Sequence, residues 1–241
     1  MASTISAAEL VYDLASDTVR ELNQRLHEPS PSASTLGGPP ARVSVLHPGG
    51  RHAIAVGIDG PWEVEIEGHV GYYCAGMNQR ATVRVRGNCG VGVAENMMSG
   101  TVVVEGSASQ AAGASARGGL LAIHGDASAR CGISLKGADI VVRGSVGHMS
   151  AFMAQRGALV VCGNAGEALG DSLYEARLYV RGSVASLGAD CVEKEMRPEH
   201  RSQLGELLLA AGFDDLDSAQ FRRYGSARRL YNFHLDNAGS Y

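Results

Sequence analysis

The sequence has few aromatic residues, and this scarcity limits the kinds of core it can build. Only 5% of its 241 residues are Phe, Trp or Tyr, whereas 32 are glycine. Conventional sandwiches and helical bundles fill their cores with more aromatic side chains. A chain that is rich in glycine and poor in aromatics, without a disorder signature, indicates many tight turns joined by strands of small residues.

Long apolar runs and targeting signals are also missing from the sequence. No run approaches the ~20 residues of a transmembrane helix. The start, "MASTISAAEL", lacks the basic and apolar regions of a secretory signal. The net charge of −4 gives no general attraction to nucleic acid or to anionic membranes. We therefore expect a cytoplasmic protein that binds neither nucleic acid nor membrane.

Motifs that carry chemistry are absent as well. The cysteines are odd in number and form no C-x-x-C pair, which favours a reduced chain. No H-x-x-x-H, G-x-S-x-G or S-x-x-K motif is present. The stretch "GNCGVG" has the spacing G-x-x-G-x-G, not the G-x-G-x-x-G of a dinucleotide site. We expect no catalytic, cofactor-binding or metal-ligating residue in this chain.

An internal repeat of nineteen residues fills the middle of the chain. Seven apolar runs, from "EVEIEG" to "RLYVRG", each end in a corner glycine, and successive corner glycines are nineteen residues apart. They are Gly68, Gly87, Gly106, Gly125, Gly144, Gly163 and Gly182. Four and two residues before each glycine the side chain is aliphatic, which is the alternation of a strand with one buried face. Small apolar residues two positions after the glycine predict a second inward wall.

A unit of nineteen residues cannot bury its own apolar face, but units stacked on one another can. The repeat therefore predicts an all-β fold: a right-handed parallel β-helix in which a single chain winds through about seven coils of nineteen residues, with flanking N- and C-terminal helices. Nineteen is not a multiple of six, which disfavours the hexapeptide β-helix. Each corner glycine is expected at a bend where a Cβ atom would be costly.

One outward-facing column of the repeat changes from charged to apolar. Three residues before the corner glycine, the first two coils have Glu65 and Arg84. The later coils have Val103, Ala122, Val141, Val160 and Tyr179. An apolar strip of this length is expected to be covered. The cover is either the chain's own terminal segments or a partner protein.

The segments outside the repeat are expected to form helices and caps. Residues 6–27 are predicted to be one helix, because "SAAE" is a capping box with Ser6 as N-cap and Glu9 at N3. The C-terminal tail mixes arginines with aromatic residues, and we expect it to dock on the β-helix or on a partner. The expected organisation is an N-terminal helix with a Pro/Ser/Gly linker at 1–40, an irregular capping coil at 41–61, the β-helix at 62–196, and a C-terminal helix with the basic-aromatic tail at 197–241.

Two loop segments, 94–100 and 147–157, combine methionines with polar residues. Methionines adapt to irregular surfaces, so they indicate a protein contact, although they fill cores equally well. The candidate contacts with a partner or a substrate channel are Met77, Asn78, Glu95, Asn96, Met97, Met98, His148, Met149, Phe152, Glu167 and Asp171.

The repeats resemble a known family. The segments "GHVGYYCAGMNQRA", "GTVVVEGSASQAAGASARGG" and "VGHMSAFMAQRGALVVCGNAGEALGDSLYEARLYVRGSV" are similar to the C-terminal β-helix domain of glutamate synthase, the GXGXG domain. The likeness covers roughly residues 62–196. As a free-standing subunit that ends in "YGSARRLYNFH", the chain looks most like the GXGXG subunit of N-methylglutamate synthase, a methylamine–glutamate N-methyltransferase.

The resemblance implies a non-catalytic subunit of a heteromeric flavoenzyme. Its partners would be a glutamine-amidotransferase-like subunit and a synthase-like subunit that binds FMN and an iron–sulfur cluster. The assembled enzyme would convert glutamate and methylamine to N-methylglutamate and ammonia. The β-helix would brace the catalytic subunits and help frame the path between their sites.

Other functions remain open at this point. The same scaffold would suit an ordinary glutamate synthase or a formylmethanofuran dehydrogenase-type complex. A stand-alone carbohydrate-active β-helix is an alternative of another class. A homopolymeric scaffold is a third, and the predicted terminal helices count against it because end-to-end stacking needs exposed strand edges.

Overall fold

The computed structural model describes residues 9–30 and 40–229, and its main element is a stack of parallel strands. The strands are β1 (Glu9–Asp13), β2 (Ala41–Leu46), β3 (Trp62–Ile66), β4 (Thr82–Val85), β5 (Thr101–Val104), β6 (Leu120–Ile123), β7 (Lys136–Val142), β8 (Arg156–Val161), β9 (Arg177–Val180), β10 (Cys191–Lys194) and β11 (Arg222–Ser226). The helices are α1 (Val19–His27), α2 (Pro198–Ala210) and a short 3₁₀ helix (Ser218–Gln220).

Strands β1 to β9 pair in parallel, each with the next, and β3 to β9 follow the nineteen-residue register. The pairing of Val64 with Val83 places successive repeats directly on one another. A second wall forms two residues after the corner glycines, where a continuous series of parallel bridges runs from Val70 to Val184. Both inward walls line a core of aliphatic and small side chains. The predicted parallel β-helix of about seven coils is confirmed.

The corner glycines are required because adjacent coils approach closely. The amide of Gly106 donates to the carbonyl of Gly87 at 3.0 Å, and this contact repeats at every corner as far as Gly182. A Cβ atom on Gly87 would lie 2.7 Å from the carbonyl carbon and oxygen of Gly68. That is closer than a Cβ atom approaches a backbone atom in real structures, so the glycine column is a packing requirement.

A ladder of polar side chains follows the corner glycines. One residue after each of the first six corner glycines, a side-chain acceptor receives the backbone N–H of the equivalent residue in the next coil, at 2.7–3.1 Å. The series runs through His69, Asn88, Ser107, Asp126, Ser145, Asn164 and Ser183. The sequence identified these residues only as turn formers. Their side chains in fact bond one coil to the next.

The predicted helix over 6–27 is wrong in its first half. Residues Glu9–Asp13 form β1, which pairs in parallel with β2, and α1 begins only at Val19. Helix α1 has its own capping box, in which Thr18 and Glu21 satisfy each other's backbone N–H groups. The parallel pairing of this segment with β2 is therefore favoured over the helix that the capping box at Ser6 predicted. Ser6 itself lies outside the described ranges.

The coil at 41–61 is more regular than expected. Strand β2 pairs with β3 in continuous register, Ala41 with Trp62, so this coil belongs to the stack. Its spacing of 21 residues explains why the nineteen-residue pattern misses it. Helix α1 closes the adjacent end of the core with the fully buried Leu22 and Leu26.

The apolar outward column is covered by the chain's own C-terminal segment. Side chains from α2 and the segment after it, including Leu204, Leu208 and Phe213, pack on the column in a second hydrophobic cluster. Val141 and Tyr179 become fully buried there. Strand β11 then pairs antiparallel with both β9 and β10, which reverses the strand direction at this end of the stack. Residues 230–241 of the predicted tail lie outside the described residues.

All five cysteines are free and buried, as the odd count suggested. Burial raises the pKa of Cys74 and Cys131 to about 12 and that of Cys162 to about 11. Because the thiolate is the reactive form, we expect the native protein to react only slowly with a thiol reagent at pH 8. All five thiols should react once the protein is unfolded. Fast native labelling of one thiol would contradict this placement.

Among the described residues, neither helix has the length and apolar character needed to cross a membrane.

Candidate functional site

One face of the β-helix consists of loop segments with an unusual backbone. We name it the turn face, and it comprises residues 72–79, 91–98, 110–117, 129–136, 148–155 and 167–174. In each of these coils three alternate residues, such as Tyr73, Ala75 and Met77, have left-handed φ angles between 52° and 74°. Most are not glycine, although other residues rarely adopt this conformation. The repetition in every coil shows that the stack imposes it.

Hydrogen bonds between coils hold this backbone in place. The amides of Tyr73 and Met77 donate forward to the next coil, at 2.8 Å each. The amide of Ala75, between them, donates back to Ile54 O at 3.0 Å. The same alternation recurs in the following coils, so each left-handed residue is tied to a neighbouring coil.

The turn face explains the glycines of "RGNCGVGV" at 86–93. Gly87 is a corner glycine, and a Cβ on Gly90 would lie 2.6 Å from the carbonyl carbon of Gly71. Gly92 has φ +74° and occupies the first left-handed position of its coil. Close packing at Gly87 and Gly90 and a left-handed backbone at Gly92 therefore account for a stretch that superficially resembles a phosphate-binding loop.

The turn face presents most of the exposed apolar side chains. Nine large hydrophobic residues are exposed within the described ranges, and five of them lie on this face. These five are Tyr72, Tyr73, Met77, Met98 and Met153. Scattered single residues would be ordinary, but a concentration on one face indicates a contact surface.

Four of these residues lie in the first two coils of the turn face, 72–79 and 91–98. The ring of Tyr72 stacks on His52, with centroids 4.5 Å apart, and Met98 donates its amide to Asn78 O in the coil that holds Met77. Glu95 adjoins Tyr73, and partial burial raises the pKa of its carboxyl group. This part of the surface is therefore mainly apolar with one carboxyl group, which is a suitable composition for a protein interface.

The predicted contact residues divide into exposed and buried sets. Met77, Asn96, Met98, His148 and Glu167 are exposed, and they extend over several coils of the turn face. Glu95, Met149, Phe152 and Asp171 are partly exposed. Nine of the eleven candidate residues thus lie at least partly exposed on one face of the β-helix, and their contact with a partner stays a prediction.

Asn78 and Met97 are corrections to that set, because both side chains are fully buried. Asn78 donates through Nδ2 to Ala81 O at 2.9 Å and to Ser99 O at 3.1 Å, which joins two coils. Met97 is part of the core. Neither can reach a partner without unfolding of the coil.

Sequence reasoning missed Tyr72 and Tyr73, and Met153 belongs to the predicted contact loop 147–157 but not to the candidate residues. Adjacent tyrosines in a chain with only eight tyrosines were an available signal.

No group of three or more His, Cys, Asp or Glu side chains is placed to share a metal ion within residues 9–30 and 40–229.

No protein-family profile matches the chain. It is similar to Protein GlxC of Rhizobium meliloti (strain 1021), with 61% identity over 231 residues. The matched region covers 96% of this chain and 99% of the relative. Because the identity is high and extends over nearly the full length of both proteins, the chain belongs to the family of Protein GlxC.

Proposed function

We propose that the chain is a non-catalytic scaffold subunit of a cytoplasmic glutamate synthase-like flavoenzyme, most specifically of N-methylglutamate synthase. It bridges an amidotransferase-like subunit and a synthase-like subunit that binds FMN and an iron–sulfur cluster. The observation that carries the scaffold role is the concentration of exposed apolar side chains on the turn face. The resemblance of the repeats to the GXGXG domain and the relationship to Protein GlxC support the class of complex.

The choice of the turn face as the partner surface has a second support, because the C-terminal segment already covers the apolar outward column. Helix α2 covers the apolar side chains of β5 to β9, so this sheet face offers little apolar surface to a partner. The turn face has no such cover among the described residues. A partner that binds there would contact several coils at once, which suits a rigid spacer between two active sites.

The cysteines of this chain are not suited to hold an iron–sulfur cluster, so we place the cluster in the partner subunit. Cluster ligands are thiolates held close together. Here burial raises the pKa of every thiol, and Cys191 reaches about 12. Cys74 and Cys131 lie three coils apart, roughly 14 Å at one strand spacing per coil.

The test is co-purification with the proteins encoded beside this chain, monitored by flavin absorbance. The double variant Met77→Asn/Met98→Asn removes apolar contact area from the turn face. Asparagine tolerates the left-handed backbone at position 77, so the fold should persist. We expect about tenfold weaker association with the flavoprotein, since burying each methionine contributes on the order of 1 kcal/mol.

Leu209→Asn is the matched control, because Leu209 is 67% exposed on α2 and lies off the turn face. It should leave association unchanged. Equal weakening by Leu209→Asn and the double variant would argue against the turn face. A chain that never co-elutes with a flavoprotein would remove the scaffold proposal altogether.

The identity of the complex is a separate question with its own assay. The reconstituted complex should form N-methylglutamate and ammonia from glutamate and methylamine. Formation of glutamate without any methylamine-dependent product would instead assign the same scaffold to an ordinary glutamate synthase-like enzyme.

A further inference from the structure

A cleft of about 670 Å³ lies beside the C-terminal segment that covers the sheet. Residues at the start of β8 and β9, the first half of α2, and the β10–β11 pair form its walls. Six cationic side chains line it: Arg156, Arg177, Lys194, Arg197, Arg223 and Arg228. Sites that bind small molecules commonly have volumes of about 300–1,000 Å³.

Within residues 9–30 and 40–229, carboxylates form direct ion pairs with two of these cations. Glu175 in the lining pairs with Arg228, with 2.9 Å between Oε1 and Nη2. Glu195 pairs with Arg197, with 3.2 Å between Oε2 and Nε. Both ion pairs are exposed, so they contribute little to stability.

The other four cations form no ion pair with any residue in the described ranges. Arg177 donates to the neutral side-chain oxygen of Gln203 at 2.8 Å, and Arg223 donates to the backbone carbonyl of Glu195 at 2.9 Å. Arg156 and Lys194 complete this set. Asp139, the second acid of the lining, accepts the amide of Ala158 at 3.0 Å and is attracted to Arg177 without a direct ion pair.

The arginines are also close enough to affect one another. Burial, together with the charges of Arg177 and Arg197, lowers the pKa of Arg223. Burial and the same three arginines lower the pKa of His200, in the first turn of α2. The positive end of the α2 dipole points to the same region. Like charges gathered in a partly buried cleft cost free energy, and a bound anion removes that cost.

We propose that this cleft binds a small anion with two or more phosphate or carboxylate groups. A guanidinium group recognises such oxyanions through paired hydrogen bonds. Four cations on one concave surface, without a direct ion pair in the described ranges, favour a ligand with more than one anionic group. The site does not depend on the scaffold role, and its ligand would bind whether or not partner subunits are present.

Pyrophosphate and citrate are the probes, because they represent the two anion chemistries. We expect at least one of them to bind the full chain in isothermal titration calorimetry and to raise its thermal midpoint. Sodium chloride at equal ionic strength should do neither. Arg156→Gln and Arg177→Gln should each weaken binding by about tenfold or more, because each removes a charged hydrogen-bond donor.

Arg130→Gln is the matched control, since Arg130 is exposed on the turn face. It should bind the probe like the unchanged protein. Without a probe, Arg177→Gln should unfold cooperatively with a thermal midpoint close to that of the unchanged protein, because Arg177 is exposed and its hydrogen bond to Gln203 lies at the surface. This result separates loss of binding from loss of fold.

Binding of one probe only would support the proposal and identify the anion chemistry. Failure of both probes, or equal affinity in Arg156→Gln, Arg177→Gln and Arg130→Gln, would overturn it. If the cleft variants lose the flavoprotein partner while neither probe binds, the cleft is a protein-docking surface and the proposal is likewise wrong.

Discussion

Replacing Gly87 with alanine is expected to destabilise the protein by about 3 kcal/mol, at the upper end of the range for overpacking. The added Cβ would lie 2.7 Å from the carbonyl carbon and oxygen of Gly68 and 2.9 Å from the amide nitrogen of His69. All three are backbone atoms, so no side chain can move to make room. Relief would require separating the two coils, which weakens the bonds from Arg86 N to Ile66 O and from Asn88 N to His69 Nδ1, both 2.9 Å long.

Urea unfolding of Gly87→Ala beside Gly205→Ala would measure this effect against a matched control. Gly205 lies inside α2, and a Cβ there meets nothing within 4 Å. Alanine in a helix interior is favoured by about 1 kcal/mol over glycine, so the control should be more stable than the unchanged protein. An unchanged midpoint for Gly87→Ala would show that the coils are not in close contact at the corner.

Phe213→Ala is expected to cost about 3–5 kcal/mol, the usual range for truncating a buried phenylalanine. The ring is 1% exposed and lies in the cluster that covers the outward column. It meets the edge of His124, with centroids 4.9 Å apart, and the Arg143 guanidinium lies 5.2 Å from its centroid. The variant therefore loses apolar burial and both ring contacts.

The same variant should also expose the outward column and increase binding of a hydrophobic dye. Leu209→Ala removes an exposed side chain from α2, the helix that precedes Phe213, and should change stability by less than about 0.5 kcal/mol. If Phe213→Ala is as stable as Leu209→Ala, the C-terminal segment does not hold the column as described.

The repeated part of the fold could be predicted from sequence because the residues that determine each coil recur every nineteen residues. The aliphatic alternation at Val64, Ile66 and their equivalents determines which strand face is buried, and the glycine spacing determines the register. Strand β1 escaped prediction because it joins β2 at a separation of 33 residues with α1 between them. Pairing at that distance leaves no periodic signal in so short a segment.

The candidate site was less predictable because its geometry depends on the turns. Met97 and Met98 are neighbours with the same composition signal, yet one is buried and the other is exposed. The period-two rule for strands does not apply to a backbone that alternates into left-handed conformations. The anion cleft had no local signal, since Arg156, Arg177 and Arg223 converge only when distant segments pack together.

The alternating left-handed backbone also restricts how a partner can recognise the turn face. Because the amides of residues such as Gly92, Ala94 and Asn96 are already bonded to adjacent coils, they are not available to an incoming strand. A partner cannot extend this surface by adding backbone hydrogen bonds, as it could at an open sheet edge. Selectivity on this face must therefore come from side chains, and partner choice can change through substitutions at Tyr73 or Met77 while the solenoid beneath stays the same.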